Sequence, residues 1–288
     1  MPAISLPIRA YRVYPLAGQE YDDHNFGHVY ENLKLDTEQT AIIAIDLWNL
    51  GGDGPPLDPK LGKYWEYNYM GGHGVAKRAG KIMRESIAPL FEAARAASIP
   101  IIHNEPDCIN KRYPWAMPPE PLPIEEQEPA WPPAEFRARL KDESYRRSFG
   151  AGYEEAWNKI NELIDVADCV KPDPQDYIIA QQHQIERFLA ERKILNLLYV
   201  GFLLNFCLLE KPGGISNMQN RYRTILLRDC TVASETAWST DAGLMTEAFI
   251  HRLEIGNVPS TTSVEFMHAL GGSPAAPIAA SPPNRRGG

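Results

Sequence analysis

The sequence predicts an α/β fold in three α/β/α layers, built on a doubly wound parallel sheet of six strands. Short apolar runs alternate with segments of helical periodicity along most of the 288 residues. Because these runs are apolar on both faces, they resemble strands covered by helices on each side of a sheet. Right-handed crossovers between such strands place the helices in two outer layers.

The individual elements follow in chain order. The apolar runs predict strands at residues 41–46, 100–103, 168–171, 197–201 and 223–229, and a sixth beginning at Asn257. Apolar side chains spaced three and four residues apart predict helices at 82–98, 182–192 and 242–253. A shorter helix is expected to start at residues 205–210.

The ends of the chain and one internal segment depart from this pattern. Residues 1–38 predict an N-terminal arm, and residues 39–270 predict one α/β domain. Residues 105–148 are rich in proline and longer than a simple connection, which is typical of a lid, a binding loop or an oligomer contact. Residues 271–288 are rich in Pro, Ala and Gly, and we expect a flexible tail.

Composition narrows the possible partners. The net charge of −8 disfavours nucleic acid and anionic membranes, which bind basic surfaces, and is compatible with a small-molecule substrate. No apolar run reaches the length of a membrane span, and the start of the sequence lacks a signal-peptide core. The four cysteines are widely spaced, so a disulfide framework is not indicated and a cytoplasmic location is expected.

Ionisable side chains stand where several predicted strands end. Asp46, His103 and Lys171 close three strands, and Cys207 lies shortly after a fourth. Ligands of open parallel sheets bind beyond the carboxyl ends of the strands, so an acid, a base and a thiol would meet there. Individually, Asp46 could cap a turn, Lys171 could be a solvated strand end and Cys207 could fill the core.

The segment around Cys207 is the most informative part of this set. Gly201 ends a strand and the thiol follows at the expected start of a helix. The positive end of a helix and a nearby lysine both favour the thiolate, so we expect a lowered thiol pKa. We also expect Trp48, Asn49, His103 and Asn205 to contact the substrate.

Three runs resemble the isochorismatase-like cysteine hydrolases: AIIAID ending at Asp46, VKP around Lys171, and YVGFLLNFC ending at Cys207. The resemblance covers residues 39–270, and it is the ordered set rather than any single run that carries it. It implies a catalytic triad of Asp46, Lys171 and Cys207.

The resemblance also implies a cis peptide bond between Phe202 and Leu203. The backbone N–H groups of Leu203 and Cys207 would then form an oxyanion hole. Two features depart from the family pattern: Leu204 replaces a small residue or threonine, and the KPGG run from Lys211 interrupts the helix after the cysteine.

A metal site is not expected, nor is a cofactor. Nicotinamidases, one branch of the family, hold a metal with Asp and His, but the equivalent stretch here has Asp53, Asp58 and His73 without a D-x-H pair. The resemblance predicts hydrolysis of a C–N bond in a small amide, ureido or carbamoyl compound by a homodimer or homotetramer. Isochorismatase-type cleavage of a vinyl ether and a non-catalytic scaffold are the alternatives.

Overall fold

The computed structural model describes residues 3–49, 72–116 and 131–271. In these residues one sheet has the strand order β2-β1-β8-β7-β6-β3-β4-β5. The strands are β1 Ile4–Arg12, β2 Gly27–Leu35, β3 Thr40–Ile45, β4 Ile101–Asn104, β5 Tyr177–Ile178, β6 Asn196–Gly201, β7 Arg223–Leu227 and β8 Ser260–Thr261.

The six strands from β8 to β5 pair in parallel, as the sequence predicted. Strands β3 and β6 are buried along their whole length, which explains why neither shows alternating polarity. Chain order reverses on the two sides of β3, so the sheet is doubly wound and its switch point lies between β3 and β6.

Helices cover both faces of the sheet. They are α1 Gly72–Ile82, α2 Ala88–Ala96, α3 Asp107–Asn110, α4 Ala134–Phe149, α5 Tyr153–Leu163, α6 Gln182–Glu191, α7 Cys207–Glu210, α8 Ile215–Met218, α9 Leu244–Ile255 and α10 Ser263–Leu270. A π-helical turn, Met83–Ile87, joins α1 to α2.

Two hydrophobic cores lie on opposite faces of the sheet. Ile42 and Ala44 of β3 face the core that contains residues of α1, α2 and α10. Ile43 and Ile45 face a second core formed with α6, α8 and α9. Because successive strand residues point to opposite faces, one apolar strand serves both cores. The predicted three-layer α/β/α class is therefore confirmed.

The N-terminal segment belongs to the sheet instead of forming an arm over it. Strands β1 and β2 pair as an antiparallel hairpin, and β1 also pairs with β8, which raises the strand number from six to eight. Leu6, Ile8 and Leu35 of the hairpin are buried in the core shared with α10. The apolar residues of β1, Ile4, Leu6 and Ile8, occupy alternate positions, so the expectation of an arm missed a pattern that the sequence carries.

Two predicted strands are displaced. Residues 168–171 were expected as the third strand, but Asp168–Val170 is a 3-10 turn and the strand is β5, Tyr177–Ile178. Prolines at 172 and 174 separate the turn from the strand. The sixth strand, expected from Asn257, begins after Pro259 at Ser260.

The insertion and the tail are described only in part. Within residues 105–148 the structure contains α3 and most of α4, while 117–130 fall outside the described residues. The predicted flexible tail lies outside them after residue 271. In the described parts of the chain, no helix combines the length and hydrophobicity needed to cross a bilayer.

Candidate active site

Asp46 lies directly after β3, at the carboxyl end of the parallel sheet. Its φ of 51° is in the left-handed region, which aspartate tolerates better than most residues. On the neighbouring strand β6, position 201 accepts only glycine, because a Cβ there would lie 2.0 Å from the Ile45 carbonyl oxygen. The carboxylate is nearly buried, so it requires a partner.

That partner is Lys211. Its Nζ lies 2.6 Å from Asp46 Oδ1 and donates a second hydrogen bond to the Asn104 carbonyl oxygen at 2.8 Å. The two side chains are 16% and 5% exposed, so water screens this ion pair weakly. From the sequence, Lys211 was expected only to begin the KPGG run that ends the helix after Cys207, and not to be a site residue.

The turn after α7 is what brings Lys211 over the strand ends. The Pro212 carbonyl oxygen accepts a hydrogen bond from Asn104 Nδ2 at 2.5 Å, and the Gly213 carbonyl oxygen accepts one from the Tyr199 hydroxyl at 2.9 Å. Gly213 has a φ of 78° and leaves no room for a Cβ. The KPGG run does end the helix, as predicted, and it also places Lys211 beside Asp46.

Lys171, the lysine expected in the triad, lies elsewhere. Its Nζ pairs with Asp168 at 2.7 Å, and its side chain is 45% exposed. The preceding chain is held to the segment after β3, where Ala167 N–H donates to the Leu47 carbonyl oxygen at 2.8 Å. The 3-10 turn then leads Lys171 away, and its carbonyl oxygen accepts a hydrogen bond from Arg95. The assignment of Lys171 beside Asp46 and Cys207 is therefore wrong.

Cys207 is the first residue of α7 and borders the same cavity as Asp46 and Lys211. Burial raises the pKa of its thiol, and the charge of Asp46 and a hydrogen bond to that carboxylate raise it further. The Lys211 charge and the Cys207 N–H lower this pKa by less. The resting side chain is thus a protonated thiol near a carboxylate.

This electrostatic balance corrects the expectation of a lowered thiol pKa. Helix α7 has only four residues, Cys207–Glu210, so few peptide dipoles align behind the sulfur. The nearest lysine is already paired with Asp46. The arrangement instead suits proton transfer from the thiol to the carboxylate as the sulfur attacks.

Glu105 is a second buried carboxyl group in the site, and sequence reasoning did not single it out. Its two oxygens accept hydrogen bonds from Leu47 N–H at 3.1 Å and from Trp48 Nε1–H at 2.9 Å. Burial and then the charge of Asp46 raise the pKa of Glu105 to about 8, although Lys211 acts in the opposite direction. Its position directly after Asn104, the last residue of β4, was a sequence signal that could have indicated this site residue.

The bond between Phe202 and Leu203 is cis, as the family resemblance implied. Leu203 lies just before the turn that leads to Cys207, and Leu208 N–H donates to its carbonyl oxygen at 3.2 Å. Among the described residues, the N–H groups of Leu203 and Cys207 donate no backbone hydrogen bond to another residue. Their joint action as an oxyanion hole stays a prediction.

Of the expected substrate contacts, only Trp48 lines the cavity. The side chains of Asn49 and Asn205 instead form hydrogen bonds with backbone groups of other segments. Asn49 Oδ1 accepts a hydrogen bond from Asp165 N–H at 3.0 Å. Asn205 exchanges hydrogen bonds with the backbone of Ser234, at 2.8 and 3.1 Å, and so joins the loop before Cys207 to the loop after β7.

His103 is buried in the core and does not line the cavity. Its ring packs edge-on against Phe91 at a centroid distance of 5.5 Å, and its Nε2 lies 3.5 Å from Asp176 Oδ2. Burial lowers the pKa of His103. Because β4 residues alternate between faces, His103 points into the layer of α2, where substrate would not reach it.

The cavity above these residues has a volume of about 540 Å³. Six of the 13 described residues that line it are aromatic, and several of these come from α4, which lies mostly within the 105–148 insertion, and from α5, which follows it. The described residues that line it are Asp46, Trp48, Pro106, Ser144, Tyr145, Ser148, Phe149, Tyr153, Trp157, Phe206, Cys207, Glu210 and Lys211. Trp115 and Trp131 of the insertion are not among them, and closure of the cavity by the 105–148 insertion stays a prediction.

Asp53 and Asp58, considered as metal ligands, lie outside the described residues. Two groups elsewhere place histidine and carboxylate atoms close together: Asp22, Asp23 and His24, which are exposed, and His28, His251 and Glu254. None of these six residues lines the cavity.

Comparisons with known proteins found similarity in solved structures alone. No protein-family model and no curated protein matches the chain. A cysteine hydrolase from Pseudomonas syringae is 14% identical over 83% of this chain and 95% of its own, with a TM-score of 0.48. An isochorismatase family protein from Burkholderia thailandensis is 17% identical over 81% and 96%, with a TM-score of 0.42.

A pyrazinamidase/nicotinamidase from Streptococcus mutans is 13% identical over 77% of this chain and 99% of its own, with a TM-score of 0.36. Further similar structures are those of two isochorismatase family proteins and an isochorismatase-like hydrolase. The solved structures to which this chain is similar thus include isochorismatase-family proteins and cysteine hydrolases, the group that its sequence motifs resemble.

Proposed function

We propose that this protein is a cysteine-dependent hydrolase that cleaves a C–N bond in a small amide, ureido or carbamoyl compound. The observation that carries the proposal is the buried Asp46–Lys211 ion pair, which lines the same cavity as the Cys207 thiol. A nucleophile, a base and a cation that orients the base are the parts that acyl transfer requires.

The reaction begins with transfer of the thiol proton to Asp46 as Cys207 Sγ attacks the carbonyl carbon. The oxygen of the tetrahedral intermediate gains negative charge, which the Leu203 and Cys207 N–H groups would stabilise. Asp46 returns the proton to the departing nitrogen, so ammonia or an amine leaves and a thioester remains. Asp46 then takes a proton from water as the water oxygen attacks the thioester. Asp46 passes this proton to the departing Cys207 sulfur, so the acid leaves and the thiol is restored.

The shape of the cavity favours a substrate with an apolar or aromatic group next to the carbonyl. Trp48, Tyr145, Phe149 and Trp157 face the volume above Cys207. Lys211 is occupied by Asp46, and Glu210 adds a further acidic side chain to the wall. This combination is better suited to a neutral or cationic compound than to a carboxylate.

A panel of amides, ureides and carbamoyl compounds, with and without an aromatic group, tests the proposal through release of ammonia or amine. Turnover should disappear in Cys207→Ala and fall at least about 10²-fold in Asp46→Asn, which removes the general base. Cys169→Ala is the matched control, because Cys169 is an exposed thiol outside the cavity.

Intact-mass measurement during turnover should show an acyl adduct on wild-type protein and none on Cys207→Ala. Turnover that survives in Cys207→Ala would overturn the cysteine mechanism. Hydrolysis of a vinyl ether that does not depend on Cys207 would favour the isochorismatase-type reaction instead.

A further inference from the structure

A cluster of two histidines and one glutamate lies between the N-terminal hairpin and α9. His251 and Glu254 are three residues apart on α9, so both side chains stand on one face of the helix. His28 reaches the same place from β2. The potential ligand atoms of the three residues all lie within 4.8 Å of one another.

The glutamate of this cluster is held in a fixed orientation. Its side chain is fully buried, and its Oε1 accepts hydrogen bonds from Arg9 Nε at 2.8 Å and from Ser260 Oγ at 2.5 Å. Its other oxygen, Oε2, lies 3.1 Å from His28 Nε2. One carboxylate oxygen is therefore anchored by the protein while the second faces the imidazole.

An aromatic side chain orients the two histidines. The Tyr11 ring packs edge-on against His28 and His251, with centroid distances of 5.1 and 4.2 Å. The two imidazole centroids are 6.1 Å apart. The His28 side chain is 35% exposed, so a solvated ion has access to the cluster from outside.

We propose that His28, His251 and Glu254 bind a divalent transition-metal ion of the zinc type, with water as the fourth ligand. Two imidazoles and one carboxylate are a ligand set that Zn²⁺ and Co²⁺ accept, at distances of about 2.0–2.2 Å. The ligand atoms of the three residues now lie within 4.8 Å of one another, and small rotations of the two imidazole rings would bring them to these distances from a shared ion. Arg9 and Ser260 would act from outside by fixing the carboxylate.

Such an ion would fasten the hairpin to the main domain. Strand β1 meets β8 through one residue pair, Arg9 with Ser260, whereas β1 and β2 pair along their full length. A metal that joins β2 to α9 adds a connection on the same side of the molecule. Because the ion would join two elements of the fold and none of its ligands lines the cavity, the expected role is structural.

Metal-free full-length protein, prepared by chelation and dialysis, tests the proposal by titration with Co²⁺ and Zn²⁺. We expect one tightly bound equivalent, a Co²⁺ absorption band without thiolate character, and a higher Tm with Zn²⁺ because the folded state binds the ion. His28→Gln and His251→Gln should each weaken binding at least about tenfold, since even loss of an outer-shell partner costs roughly 10–100-fold.

His24→Gln is the matched control, because His24 belongs to the exposed cluster with Asp22 and Asp23. It should bind as wild type does. Cys207→Ser should also retain the bound equivalent, which separates this site from the catalytic cavity. No bound equivalent in the wild type, or equal binding in wild type and His251→Gln, would overturn the proposal.

Discussion

At the scale of single residues, the candidate site holds two buried carboxyl groups around one ammonium. Asp46 and Lys211 form the close ion pair, and Glu105 lies behind them with hydrogen bonds from Leu47 and Trp48. One cation cannot fully compensate two carboxylates in a weakly solvated place, so one of them keeps its proton to a higher pH. The structure assigns that role to Glu105.

Glu105 should make the stability of the protein pH-dependent. Its pKa of about 8 in the folded state lies above its ordinary value of 4.5, so the folded state binds more protons between these values. The stability it contributes is complete below about pH 4.5 and is lost as the pH rises through about 8. In this window the free energy of unfolding should fall by up to about 1.4 kcal/mol per pH unit.

Denaturant unfolding of wild type and Glu105→Gln across this pH range measures the effect. Glutamine must place its NH₂ group against an N–H donor, so the variant should lose about 1–3 kcal/mol that does not depend on pH. The difference in unfolding free energy between the two proteins should shrink as the pH rises. A difference that stays constant across the window would show that Glu105 does not hold its proton.

At the scale of elements, the turn between α7 and α8 decides which lysine reaches the site. Lys211 ends α7, and the next two residues are anchored to Asn104 and Tyr199. The turn thereby places the ammonium at 2.6 Å from Asp46. The position of this lysine depends on backbone geometry that a single substitution can disturb.

Gly213→Ala should displace the turn. A Cβ at this position would lie 2.4 Å from Ile185 Cδ1, and the φ of 78° is unfavourable for alanine. Gly18→Ala is the control, because Gly18 has a φ of 85° with nothing within 4 Å. The two variants share the backbone strain, roughly 1 kcal/mol, and differ in the clash.

Gly213→Ala should therefore lower both the free energy of unfolding and the activity, while Gly18→Ala should lower the stability slightly and leave activity intact. Equal activity in the two variants would mean that the turn does not position Lys211.

At the scale of the whole molecule, the site is assembled from segments that are far apart in sequence. Asp46 and Cys207 could be predicted because long apolar strands precede them, and the ends of parallel strands meet at one edge. Lys171 and His103 were assigned by the same rule but point elsewhere. Strand ends can be read from hydrophobicity, whereas the direction of a side chain after a turn depends on backbone dihedrals.

The N-terminal hairpin is the part of the sheet that the sequence analysis did not predict. The parallel core could be predicted because its strands are buried on both faces and have uniform apolar runs. In β2 the more buried residues lie at alternate positions, but the exposed Glu31 interrupts this period of two in the middle of the strand. Its pairing with β1 depends on contacts that form only in the folded sheet.

The central claim is that Asp46 and Lys211 are the charged residues that act on the Cys207 thiol, and that Lys171 is not. The most direct measurement is the rate of Cys207 alkylation at a fixed pH of about 9, followed by peptide mapping, because the thiolate is the reactive species. Asp46→Asn should accelerate it, since the Asp46 charge and hydrogen bond raise the thiol pKa. Lys211→Met should slow it, because the Lys211 charge lowers that pKa.

Each change of one pKa unit alters the rate about tenfold while most of the thiol is protonated. Lys171→Met is the matched control and should react as wild type does, because its ammonium pairs with Asp168. The account predicts this order: Asp46→Asn fastest, wild type and Lys171→Met equal, and Lys211→Met slowest. Slower alkylation in Lys171→Met together with an unchanged rate in Lys211→Met would contradict it.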